Sequence, residues 1–65
     1  MNKKSVLIFG AGLNQVTLIK AAKELGLITI VLDVVESSPG KEFTDYYYCV
    51  SGDDYVCTKD IAVKH

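Results

Sequence analysis

Two glycines and one carboxylate are the groups in this chain whose spacing suggests chemistry. Gly10 and Gly12 lie in the run Val6-Leu7-Ile8-Phe9-Gly10-Ala11-Gly12-Leu13-Asn14-Gln15, and Asp33 follows 23 residues after Gly10. An apolar strand, a glycine turn and the start of a helix together point backbone N–H groups at an anion. The first-turn N–H groups near Leu13, Asn14 and Gln15 lack intrahelical partners. A carboxylate or phosphate held there gains hydrogen bonds and the favourable end of the helix dipole, the latter worth about 0.3–1 kcal/mol. Gly10 and Gly12 are expected to take backbone angles that other residues resist. Asn14 either binds a polar group of a substrate or caps the helix, and Gln15 has the same two readings. Asp33 contacts a ligand hydroxyl or amine, caps the following turn, or ends its strand in water.

A dinucleotide fingerprint is G-x-G-x-x-G, with an acid about 20 residues further on. Here the pattern is Gly10-x-Gly12-x-x-Gln15, with Asp33 in the place of the acid. The third glycine normally lets helix and strand approach closely, so Gln15 weighs against tight dinucleotide binding.

The elements that position these residues follow from hydrophobic pattern. Ser5 to Phe9 is a buried strand. Asn14 to Leu25 has helical spacing, with Val16, Ile19, Ala22 and Leu25 on one face. Gly26 stops that helix. Leu27 to Leu32 is apolar without alternation, which marks a parallel strand covered on both faces. Strand, helix and strand make a βαβ unit with a right-handed crossover. Ser38-Pro39-Gly40 shapes a turn. Tyr46 to Val50 is a third strand, whose consecutive tyrosines cannot all point inward. Tyr55 to His65 has no clear pattern; Asp60-Ile61-Ala62-Val63 is expected to open a helix. The predicted class is α/β, a Rossmann-like βαβ unit with a short, mostly parallel three-stranded sheet.

Composition excludes several functions. The chain has 65 residues, 49% of them apolar, and a formal charge of -1. A chain this short makes one small domain that buries only about 60% of its unfolded surface. Seven lysines, eight acids and no arginine leave neither a nucleic-acid footprint nor a bidentate phosphate clamp. Cys49 and Cys57 have seven residues between them, which is neither a CxxC redox motif nor a zinc pattern, and His65 completes no metal set. No run is long enough to span a membrane and no signal peptide is evident, so cytoplasm is the expected location. One helix covers one sheet face, and the opposite face is expected to need downstream domains or a self-association partner. Residues 1–65 are thus read as the N-terminal piece of something larger, with a small domain dimerising through its sheet as the other reading.

The combination Val6 to Gly12, Gln15, Ile19-Lys20-Ala21-Ala22-Lys23-Glu24-Leu25-Gly26, Val31-Leu32-Asp33, Ser38-Pro39-Gly40 and Asp45 resembles the N-terminal (preATP-grasp) domain of the ATP-grasp superfamily. The likeness is nearest to proteins similar to the large subunit of carbamoyl-phosphate synthase and covers roughly residues 4–54. The resemblance implies an incomplete preATP-grasp domain belonging to an ATP-dependent carboxylate–amine ligase. In such enzymes ATP and magnesium phosphorylate a carboxylate or bicarbonate, and an amine attacks the acyl phosphate. It also implies that the glycine turn faces the non-nucleotide substrate. Gly10, Gly12 and Leu13 match that turn, Asn14 lies in its first helical positions, and Asp33 matches the acid ending the second strand. Several relatives carry glutamate near positions 14–15, where this chain has Asn14-Gln15. ATP lysines, magnesium ligands and a phosphate-steadying arginine would belong to later domains, so no catalytic or metal-binding residue is assigned here. Phosphoryl transfer needs metal and positive charge, and the isolated chain is expected not to hydrolyse ATP. The competing readings are the first βαβ unit of an NAD- or FAD-dependent oxidoreductase or epimerase, and a non-enzymatic α/β interaction module.

Overall fold

A computed structural model describes residues 4–65. Strand β1 (Ser5–Phe9) leads through the glycine turn into helix α1 (Leu13–Glu24), which returns to strand β2 (Ile28–Leu32). A 3₁₀ turn (Lys41–Phe43) precedes strand β3 (Tyr46–Tyr48), and helix α2 (Tyr55–Lys64) follows. The sheet order is β1-β2-β3 and both pairings are parallel. Ser5 stands opposite Ile28 and Phe9 opposite Leu32; Ile30 stands opposite Tyr46. The chain is therefore a small α/β unit built on one βαβ crossover.

Each strand supplies both faces of the sheet because successive side chains alternate. On one face Ile8 and Val31 pack with Ile19 of α1 and with Ala11, flanked by Val6, Phe43 and Tyr47. On the other, Ile30 and Leu32 pack with Ile61 of α2, flanked by Leu7, Tyr48 and Val50. This explains the unbroken apolar run of β2: neighbouring residues serve opposite cores.

Helix α2 covers part of that second face through Ile61, while Phe9 and Tyr46 stay about half exposed on it. The segment without clear pattern forms a helix from Tyr55 to Lys64, capped by Asp54, whose Oδ1 accepts from the Cys57 N–H at 3.1 Å. Asp54 satisfies one of the orphan donors of the first turn. The helix was hard to read because Tyr55, Val56 and Val63 put apolar side chains in solvent while Ile61 is its buried residue. In α1, Ile19 and Ala22 are buried as expected, but Leu25 is exposed and lies one residue past the helix. Gly26, at φ 80°, ends α1 in a Schellman arrangement: its N–H donates to the Lys23 carbonyl and the Leu27 N–H to the Ala22 carbonyl. Among the described residues no helix is long and apolar enough to cross a membrane.

The three tyrosines of β3 divide as their alternation requires. Tyr47 faces the α1 core and Tyr48 the α2 core. Tyr46 is about half exposed and lies tilted against the His65 ring, 4.4 Å between centroids. Cys49 and Cys57 are both free and exposed.

Candidate functional site

The glycine turn lies at the carboxyl end of the parallel sheet, where ligands of open α/β folds bind. Gly10 takes φ 91°, a left-handed conformation that favours glycine. Its N–H continues the sheet ladder by donating to the Leu32 carbonyl at 2.7 Å. Gly12 differs from expectation. It is the N-cap of α1 with φ -66° and ψ 177°, extended backbone open to any residue. A Cβ built on Gly12 meets nothing within 4 Å. Glycine there is not demanded by backbone strain; it leaves open space in front of the helix.

No side chain caps α1, so the capping reading of Asn14 is corrected. The chain leaves the turn with Gly12 at the N-cap, which places Asn14 two residues too far along to serve. Gln15 is also accounted for. Its N–H donates to the Gly12 carbonyl at 2.9 Å and its Nε2 to the Phe9 carbonyl at 3.2 Å. Leu13 and Asn14, both exposed, remain as the first-turn residues whose N–H groups have no place in the helical ladder. The six residues singled out by sequence thus separate. Gly12, Leu13 and Asn14 form an open front, while Gly10, Gln15 and Asp33 build the frame behind it.

Asp33 is the centre of that frame. One carboxylate oxygen accepts from the Ala11 N–H at 2.7 Å and the Ser38 hydroxyl at 3.0 Å; the other accepts from the Val35 N–H at 2.9 Å. These bonds tie the glycine turn to the loop that follows β2. The N–H groups of Val35 and Ala11, with the Ser38 hydroxyl, hold the Asp33 carboxyl below the ordinary aspartate range against the opposing effect of burial. Hydrogen bonds to the charged form favour ionisation.

Gly40 closes the same junction from the other side. Its N–H donates to the Ala11 carbonyl at 2.8 Å. A Cβ on Gly40 would stand 2.8 Å from Ile19 Cδ1 and 3.0 Å from the Ala11 carbonyl oxygen. Ala11, fully buried, therefore has its N–H held by Asp33 and its carbonyl by Gly40. Ala11, Val35, Ser38 and Gly40 were not in the sequence-derived site. Ser38-Pro39-Gly40 was legible as a turn, but that it docks on Ala11 depends on a contact 29 residues away in the chain.

A polar core lies at the amino end of the sheet. Asp45 Oδ2 accepts from the Thr29 N–H at 2.9 Å and from its hydroxyl at 3.2 Å, and Lys23 Nζ sits 3.0 Å from Asp45 Oδ1. The lysines near the sheet are engaged away from the glycine turn. Lys20 lies over the Phe43 ring, and Lys41 donates to the Glu36 carbonyl. Among the described residues no group of three or more acids, cysteines or histidines is placed to hold a metal ion.

The arrangement can hold a small anionic group by backbone donors in front of α1. Among the described residues Lys20, Lys23 and Lys41 are engaged elsewhere, and the Asp54 carboxylate pushes the Cys57 thiol up from its ordinary value. Comparison with protein-family models, curated proteins and solved structures yields no match.

Proposed function

We propose that this chain is the substrate-binding N-terminal portion of an ATP-dependent carboxylate–amine ligase, similar to carbamoyl-phosphate synthase, with the glycine turn holding the substrate's carboxylate or phosphate. The observation that carries this reading is the uncapped start of α1 behind the empty space at Gly12, at the carboxyl end of a parallel sheet. An anion placed there completes hydrogen bonds that the fold leaves unmade. The preATP-grasp resemblance of Val6 to Gly12, Ile19 to Gly26, Val31 to Asp33 and Ser38 to Gly40 supplies the enzyme class.

The residues present do not fit ATP or magnesium, and no catalytic step is derived through them. In this reading, later domains bring both, together with the groups that meet developing phosphate charge. The turn orients the carboxylate, phosphate or amine-bearing small molecule and raises its local concentration. The cytoplasm is the compartment that fits a ligase of this class.

The dinucleotide reading is weaker because Asp33 accepts from Ala11, Val35 and Ser38. A ribose-binding acid needs free oxygens for a diol. Gln15 also lays its side chain over the carboxyl end of β1, where a fingerprint glycine would leave room.

Titration of the ¹⁵N-labelled chain with inorganic phosphate, bicarbonate and acetate tests the site. The expected result is saturable shifts confined to the amides of Gly12, Leu13 and Asn14, lost in Gly12→Asp. Weak, unsaturable shifts spread over the surface would reject it. The enzyme class has its own test: in an ATP-dependent ligase carrying this segment, Gly12→Asp should raise KM for the carboxylate substrate and leave KM for ATP unchanged.

A further inference from the structure

We propose that two copies of this chain pair antiparallel through β1 about a twofold axis, bringing Lys4 of each copy to the glycine turn of the other. The pairing follows from the backbone of β1. The Lys4 carbonyl accepts from the Ile28 N–H, and the Gly10 N–H donates to the Leu32 carbonyl. Bonding groups alternate along a strand, so Val6 and Ile8 also face β2. The N–H and carbonyl groups of Ser5, Leu7 and Phe9 therefore point outward at the sheet edge.

A twofold axis through Leu7, normal to the sheet, sets Leu7 against the partner's Leu7 and Ser5 against the partner's Phe9. At such antiparallel positions both residues exchange N–H···O bonds, and here they coincide with the outward groups. An axis through Val6 or Ile8 would instead call on groups that β2 already uses. The Phe9 carbonyl accepts from Gln15 Nε2 at 3.2 Å, and its second lone pair remains for the partner's Ser5 N–H. Strand β1 carries no charge and no proline, the residues that keep a sheet edge from pairing.

Side chains agree with this axis on both faces. On the α2 face, Phe9 is about half exposed and stands opposite the partner's Ser5. Ser5 lines a cavity of about 290 Å³ with Leu7, Ile30, Ala62 and His65, and the partner's Phe9 ring is placed to enter it. On the α1 face, a groove of about 450 Å³ lies between β1 and α1, with Leu18 and Leu25 exposed along it. An axis normal to the sheet keeps both α1 helices on one face, so the two grooves close over a common floor of Val6 and Ile8. The area covered is on the order of 500 Å² per copy against roughly 800 Å² for a standard interface, so the dimer is weak.

Lys4 gives the pairing a chemical consequence. Lys20, Lys23 and Lys41 are engaged away from the glycine turn, whereas Lys4 is exposed. The Leu7 axis puts Lys4 opposite the partner's Gly10. Val6 packs with the α1 core, so alternation turns the Lys4 side chain to the same face, where the α1 helix of the second copy begins. The ammonium group arrives beside an anion held by the amides of Gly12, Leu13 and Asn14. This role of Lys4 rests on the ligand reading of the turn; the pairing of β1 does not.

Sedimentation equilibrium, and isotope-filtered NOEs in mixtures of labelled and unlabelled chain, test the pairing. Association should appear at concentrations up to about 1 mM, with intermolecular NOEs joining Ser5 to Phe9 and Leu7 to Leu7. Leu7→Pro removes an outward N–H without touching the ladder to β2. Leu18→Glu sets a carboxylate in the closed groove, and either variant should leave a folded monomer. Phosphate should strengthen association, and Lys4→Gln should keep the dimer while weakening phosphate binding about two- to fivefold. A monomer throughout that range, NOEs at β3 or the outer face of α2, or unchanged association in both interface variants would overturn the pairing. Unchanged phosphate affinity in Lys4→Gln would overturn the role of Lys4. A β1-paired dimer whose Gly12, Leu13 and Asn14 amides ignore phosphate would reject the ligand reading and the role of Lys4 with it, and uphold the pairing.

Discussion

Asp33 and Asp45 are the same side chain at opposite ends of one sheet, and their partners give them different work. Asp45 accepts from Thr29, which is fully buried, and pairs with Lys23 of α1. Thr44 adds its hydroxyl, donating toward the Thr29 carbonyl and lying 3.0 Å from the Thr29 hydroxyl. Every partner there belongs to a strand, a strand's approach or the covering helix, so the amino-end cluster fastens β2, β3 and α1 together. Asp33 accepts from loops on both sides of the carboxyl end, and open space lies in front of Gly12 in the turn it anchors. A carboxylate surrounded by regular elements stabilises them. One surrounded by loops fixes the shape of a surface, which is what a binding turn needs.

Replacing Asp33 should have the largest effect. Asp33→Ala strands the buried Ala11 N–H and removes three bonds to a charged acceptor, a loss of about 3 kcal/mol in urea unfolding. It should also abolish the anion-induced shifts at Leu13 and Asn14. Asp45→Ala should cost about 2 kcal/mol by the same loss of acceptors yet leave those shifts intact. Equal loss of binding in both variants would erase the distinction between the two ends. Gly40→Ala forces a methyl against Ile19 and the Ala11 backbone, and about 1–3 kcal/mol of overpacking cost is expected; thermal unfolding measures it.

Acid should weaken both clusters together. The Thr29 N–H and then Lys23 hold Asp45 below the ordinary aspartate range, as Val35 and Ala11 do for Asp33. A lowered folded value means that the unfolded chain takes up protons first. The contribution is therefore complete above the ordinary aspartate value of about 3.9 and is lost as pH falls through the lowered values. Urea midpoints measured from pH 6 down to about 2 should decline mainly below pH 4. Asp33→Asn and Asp45→Asn should each flatten part of that decline.

The smallest effect should be a gain. Gly12→Asp gives α1 the cap it lacks and stabilises the chain by about 0.5 kcal/mol or more. The new carboxylate occupies the position assigned to the ligand, so stability should rise while phosphate and acetate binding disappears. Unimpaired binding in that variant would place the anion elsewhere.

Much of the carboxyl end was legible in sequence because its signals are local. The β1 boundaries follow from an apolar run stopped by glycine, and Gly26 marks the end of α1 through its own backbone preference. Asp33 was legible as a residue beside the turn, but its partners were not. Ala11 lies 22 residues before it and looks inert between two glycines, and Ser38 reads as ordinary loop composition. Helix α2 escaped because its apolar residues are mostly exposed, which blurs the period that marks a covered face.

Local preference was enough to establish alternating strand and helix, a glycine turn after β1 and continuous apolar strands with two faces to cover. Those properties depend on residues within a few positions of one another, and the order of residue types states them directly. Which donors reach Asp33, which helix covers the second face and which amides stay open depended on loops meeting across the sheet. Such meetings are settled by how side-chain volumes and unpaired polar groups fit together at a distance along the chain, and only the folded arrangement carries that information.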